Sequence, residues 1–183
     1  MTIVGQVFYR MGLAGIFALP LSTLMLLLDL FMKPSKFQSA EAPYLVFRDV
    51  HIITAILGEA MAIGAFTISM MYLWQHQNLK NKILDQITNK VPALDKLDKL
   101  LNLTLWLGML FLTTALISGA YYTTRSAAQD GITLKVIWAL SVWIWYMAIL
   151  VLKNVLKKST SYVAKLSLVG FFFLAISLFG VIF

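Results

Sequence analysis

Two side chains in one apolar stretch carry most of the chemistry open to this chain. His51 stands just after Arg48 and Asp49 at the start of an apolar run, and Glu59 lies eight residues further along it. On a helix that spacing sets the carboxyl about 12 Å deeper than the imidazole. A neutral imidazole is a good ligand for haem iron or a metal ion. A carboxyl inside an apolar run is expensive to ionise. It reads either as a proton-relay or ligand-orienting group or as an acid hydrogen-bonded to a neighbouring helix. Thr113, Thr114 and Ser118 of a later run are its expected partners. The other histidine, His76, follows His51 by 25 residues, about 37 Å along one helix. The pair therefore cannot clamp one haem within a single chain.

Trp138, Trp143, Trp145 and Tyr146 crowd another apolar run, with Ser141 among them. Trp138, Ser141 and Trp145 fall on one helical stripe that could wall a porphyrin slot, although interfacial anchoring and packing are the commoner uses of such tryptophans. The chain has no cysteine, which excludes disulfides, thiolate metal sites and Cys-x-x-Cys-His haem attachment. No zinc-ligand spacing, nucleophile elbow, phosphate loop or carboxylate pair occurs, so the chain reads as not an enzyme.

The elements that must position these residues follow from hydropathy. Of 183 residues, 60% are hydrophobic and 13% charged, far from the balance of a soluble domain. Five apolar runs are long enough to cross about 30 Å of hydrocarbon: about 11–31, 50–74, 101–122, 133–152 and 162–183. Lipid leaves a choice of helices or closed barrels, and uninterrupted runs of this length are helices. The expected fold is an all-α polytopic membrane helix bundle of about five transmembrane helices, a single domain over 1–183. Arg10 and Ala40-Glu41-Ala42 mimic parts of a signal peptide. The first run is too long, and the cleavage-like site too distant, for that reading. Ala55, Gly58, Ala62 and Ala65 form a ridge suited to close helix packing.

The one sizeable loop, 75–100, contains Pro92, after which Leu94, Leu97 and Leu101 share a helical face opposite Asp and Lys residues. This predicts one short cytoplasmic amphipathic helix lying at the interface and feeding the third span. Arg10, the lysines at 80, 82, 90, 96 and 99, and those at 153, 157, 158 and 165 all fall on one side of the five spans. The positive-inside rule makes that side cytoplasmic. The N-terminus is then cytoplasmic and the C-terminus extracytoplasmic, in a bacterial-type inner membrane. The net charge of +7 is accounted for by topology and lipid contact, so no nucleic-acid partner is expected.

The stretch from Val50-His51 onward resembles the cytochrome c assembly protein family, the haem-handling inner-membrane proteins of CcsA/HemX type. The histidine-opened span closes in Trp74-Gln75-His76-Gln77-Asn78-Leu79-Lys80, and a leucine-repeat segment follows from Pro92 to Leu100. Next come Gly108, Leu112-Thr113 and Ser118-Gly119-Ala120, then Lys135, Leu140 and Trp143, and finally Val169-Gly170-Phe171. The first run, with Ala18-Leu19-Pro20-Leu21, is similar to the span preceding the histidine span in such relatives. The resemblance implies haem held at the extracytoplasmic side, His51 as axial ligand, and Trp138 and Trp145 as walls.

The departures matter as much. Fuller members carry a tryptophan-rich haem segment flanked by histidines, where this chain has only Tyr121 to Ile132 without either residue. Where others place a second histidine after the fourth span, it has Val151-Leu152-Lys153. It resembles a shortened and divergent member, and a haem here would need a second ligand from methionine, water or another chain. Two functions follow: a haem-handling accessory of cytochrome c biogenesis, or a non-catalytic subunit of a larger, respiratory membrane complex that has lost the haem site. Partners would be the lipid bilayer and other membrane subunits or a second copy. A proton-coupled transporter using Glu59 fits less well, because no internal repeat is evident.

Overall fold

The computed structural model describes residues 42–82, 92–125 and 132–180. Four helices occupy them: α1, Ala42–Lys80; α2, Leu94–Arg125; α3, Ile132–Asn154; and α4, Thr160–Gly180. No strand occurs among the described residues. Three helical stretches are long and apolar enough to cross a membrane: Val46–Lys80, Leu94–Tyr121 and Val136–Asn154. α4 carries a shorter apolar stretch, Thr160–Ile176. The first apolar run, 11–31, lies outside the described residues. The helices alternate in direction and form a closed ring, with α1 and α3 each packed between α2 and α4.

The α1–α2 seam is the closest in the bundle, and small residues make it so. A methyl group added at Gly58 would lie 3.1 Å from Leu112, one at Gly64 3.3 Å from Thr104, and one at Gly108 3.2 Å from Met61. These pairs run in opposite directions at a constant register, as two straight antiparallel helices require. Ala62 and Ala65 are buried in the same ridge, as the sequence leads one to expect. Without a hydrophobic drive between helices in lipid, such close backbone approach supplies the dispersion contacts that hold them together. Across the bundle, Phe66 of α1 meets Phe171 of α4 with ring centroids 4.8 Å apart.

Hydroxyls within the helices mostly satisfy themselves. Thr67 donates to the Ile63 carbonyl at 2.9 Å, Thr114 to Leu110 at 2.9 Å and Ser118 to Thr114 at 2.7 Å. Each is a bond to the carbonyl one turn back, which hides a polar group where water is scarce.

Three boundaries differ from the sequence expectation, the first being the start of α1 at Ala42 rather than at about residue 50. α1 continues through Gln75 to Lys80, where Lys82 in the left-handed region (φ 55°) ends it. The segment after Pro92 is not a separate interfacial helix but the first turns of α2. The Ala93 carbonyl accepts the Lys96 and Leu97 amides at 2.9 and 3.1 Å, and no proline or glycine interrupts the chain before Gly108. Leu97 and Leu101, 1% and 0% exposed, are packed in the core, Leu97 against Met71 of α1. Burial against a neighbouring helix has replaced contact with headgroups.

At this end of the bundle Asp98 of α2 ties three helices together. Its Oδ1 accepts from Lys153 Nζ at the end of α3 and from Thr160 Oγ1 at the start of α4. Lys153 is only 9% exposed in its side chain, so Asp98 stands in for the water its ammonium would otherwise bind. Lysines 80, 82, 96, 99, 157 and 158 gather at the same end. Arg48, Arg125 and Lys135 belong to helix ends at the other.

Asp98→Ala should lower the unfolding free energy in detergent by about 1.5–3 kcal/mol, the worth of a hydrogen bond to a charged group. Adding Lys153→Met should restore most of that loss, because the stranded ammonium is removed with it. Thermal unfolding of the two variants checks both expectations; equal loss in the single and double variants would deny the staple.

Candidate functional site

His51 sits in the third turn of α1, on the side facing α2. Its Nδ1 is 2.7 Å from the Ala115 carbonyl oxygen. A carbonyl can only accept, so Nδ1 carries the proton and, in the neutral ring, Nε2 carries the lone pair. The imidazole reaches this position across Gly119. A methyl group there would lie 2.7 Å from Nδ1 and 2.8 Å from Cε1, closer than real carbon contacts allow. Gly119 is therefore the seat of the ring. A side chain at this position would force the ring out of its seat.

The surroundings of His51 hold it further. Ser118 also donates to the Ala115 carbonyl, at 3.2 Å. Thr54 donates to the carbonyls of Val50 and His51 at 2.7 and 3.2 Å, pinning the first turns of α1. Phe47 and Tyr121 pack across the same seam with ring centroids 4.3 Å apart. Arg48 and Asp49 pair at 2.9 Å. An imidazole donating through Nδ1 to a backbone carbonyl, with Nε2 left as the Lewis base, is the arrangement in which protein-bound histidines commonly hold a metal.

The other candidates fall elsewhere. Glu59 is half-buried on α1, two turns deeper than His51. Thr113, Thr114 and Ser118 each donate to carbonyls of α2 itself, and Thr113 also accepts from the Trp143 indole at 3.0 Å. That last bond sets the α2–α3 register and brings half-buried Trp138 to the level of Ser118 and Gly119, the His51 end. Trp145 is committed to the α3–α4 seam instead. Its indole donates to the Leu166 carbonyl at 3.2 Å, its ring lies 5.1 Å from that of Phe173, and a methyl group at Gly170 would meet it at 2.8 Å. His76 is exposed at the lysine-rich end, stacked on Tyr72 at 5.9 Å. Among the described residues no three His, Cys, Asp or Glu side chains converge as a metal cluster.

Gly119 and Ala115 are the residues that sequence reasoning did not single out as a seat. The signal was the small cluster Ser118-Gly119-Ala120 near the far end of the third run. With antiparallel neighbours, that end lies opposite the start of the second run, where His51 is.

In 15N spectra of ring-labelled histidine, His51 should show its proton on Nδ1 in the native chain. Gly119→Ala should abolish that signature while His76, at the far end, keeps its own. An unchanged His51 signal in the variant would contradict the seat.

The comparisons with known proteins now bear on this geometry. No curated protein and no solved structure matches the chain. The family model of the cytochrome c assembly protein matches residues 1–183, and three of the described helical stretches are long and apolar enough to span a membrane. The chain is a multi-pass membrane protein that belongs to the cytochrome c assembly protein family.

Proposed function

We propose that the protein is a non-enzymatic haem-handling component of cytochrome c assembly, which holds haem as cargo at the end of the bundle away from the lysines, with His51 Nε2 as one axial ligand. The observation that carries this reading is the 2.7 Å bond from His51 Nδ1 to the Ala115 carbonyl over Gly119. It orients the imidazole and selects the tautomer that leaves the Nε2 lone pair as the ligand atom. Haem bound there would supply an iron centre that takes axial nitrogen ligands. Trp138 shares the His51 end of the bundle and is the better placed of the two tryptophans to contact a porphyrin. Trp145 serves the reading through the bundle instead, by fixing α4 against α3.

The same reading puts the lysine-rich end in the cytoplasm by the positive-inside rule, and so puts His51 at the extracytoplasmic face of an inner membrane. After the fourth span, where the resemblance implies a second histidine in other members, this chain has Val151-Leu152-Lys153, and Lys153 is bound to Asp98 at the opposite end from His51. The second axial ligand would then come from a methionine, water, or another chain, which gives a reason for partnership with a second membrane subunit or a second copy.

The test is the absorption spectrum of the purified full chain after loading with haem. A Soret band that is lost in His51→Ala and retained in Glu59→Gln is expected. A native chain that takes up no haem, yet copurifies stoichiometrically with other membrane subunits, would overturn the reading in favour of a structural role.

A further inference from the structure

Five buried side-chain polar atoms accept or donate no hydrogen bond among the described residues: Ser69 Oγ, Gln75 Oε1, Asn102 Oδ1, Tyr146 OH and Ser167 Oγ. Ser69 and Ser167 are 0% exposed and Tyr146 is 4% exposed. In such surroundings an unsatisfied hydroxyl is costly, and the remedy used elsewhere in this bundle is available to both serines. Thr67, Thr113 and Ser118 turn their protons onto the carbonyl one helical turn back. Ser69 and Ser167, on equally regular helices, do not.

The packing sets three of these hydroxyls at one level of the bundle. Phe66 against Phe171, 4.8 Å between centroids, sets the register of α1 and α4. Ser69 follows Phe66 by three residues and Ser167 precedes Phe171 by four, so on antiparallel helices the two reach the same level. The Tyr146 ring approaches from α3, its Cζ 3.4 Å from where a methyl group on Gly170 would sit. Gly170 is three residues from Ser167, within about one turn of 5.4 Å. Three helices thus place a hydroxyl at one level of the core.

The remaining two orphans flank that level. The α1–α2 register, with Gly64 against Thr104, sets Asn102 of α2 at about the level of Thr67 and Ser69. Gln75 lies six residues beyond Ser69 on α1, toward the lysine-rich end. In the other direction, toward His51, the hydroxyls of Thr113, Thr114 and Ser118 are each bonded to their own helix.

We propose that this level is an internal hydration site, with ordered water held between the helices by Ser69, Ser167 and Tyr146, with Asn102 at about the same level, and supplied past Gln75 from the lysine-rich end. A buried water needs two to four polar partners, a number that hydroxyls from three helices at one level match. The core between the lysine-rich end and mid-bundle is then wet, while the seam below His51 is dry. The proposal does not depend on haem.

X-ray hydroxyl-radical footprinting of the full chain in lipid nanodiscs, read by mass spectrometry, tests it, because radicals formed from bound water mark adjacent side chains. Tyr146 should be modified despite its burial, at a rate within several-fold of Tyr162, which is 47% exposed. In Ser69→Ala/Ser167→Ala the Tyr146 rate should fall several-fold with Tyr162 unchanged. If that double variant does not accumulate, Ser167→Ala alone should give the same direction of change. An unmodified Tyr146 in the native chain would overturn the proposal, and so would a Tyr146 rate indifferent to the loss of the serine hydroxyls.

Discussion

The close approach of α1 and α2 is the constraint on which the rest of the structure depends. Four glycines along this seam each receive a side chain of the facing helix: Leu112 at Gly58, Thr104 at Gly64, Met61 at Gly108 and His51 at Gly119. Such contacts are short-ranged, so they hold the register tightly while contributing little each. The same register that packs Leu97 onto Met71 at one end seats the imidazole at the other. His51 is therefore positioned by the full length of a helix pair rather than by a loop, which suits a ligand that must present one nitrogen in a fixed direction.

The two ends of the bundle are finished by different means. At the lysine-rich end a single carboxylate, Asp98, gathers Lys153 and Thr160 and closes α2, α3 and α4 against one another. At the His51 end α1 and α2 are joined through a ring–carbonyl bond and the Phe47–Tyr121 contact. A charged staple thus closes one end, while the other is held by packing and a single ring–carbonyl bond.

Much of this was legible in the sequence, and the reasons it stopped are physical. Apolar runs located the cores of the described helices because hydrocarbon demands unbroken apolar length. They misplaced ends, because Gln75 to Lys80 and Leu94 to Leu100 are polar enough to look like loop yet contain nothing that breaks a helix. The Asp98–Lys153 pair was out of reach: its members stand 55 positions apart, and hydropathy treats both as edges of spans. His51 was recognisable as a ligand candidate from its type and place. Its seat was not, since Gly119 acquires meaning only once α1 and α2 are in register. Trp145 shows the converse, where a stripe of aromatics suggested a slot wall and the indole instead closes the α3–α4 seam onto Gly170 and Leu166.

The central claim, that His51 Nε2 is offered to haem iron by its bond to Ala115, is tested most directly by resonance Raman spectroscopy of the ferrous haem-loaded protein. The account predicts an iron–histidine stretching band that shifts when histidine is 15N-labelled, weakens in Gly119→Ala and is absent in His51→Ala. The same band surviving in His51→Ala, or haem bound with no iron–histidine band at all, would contradict it.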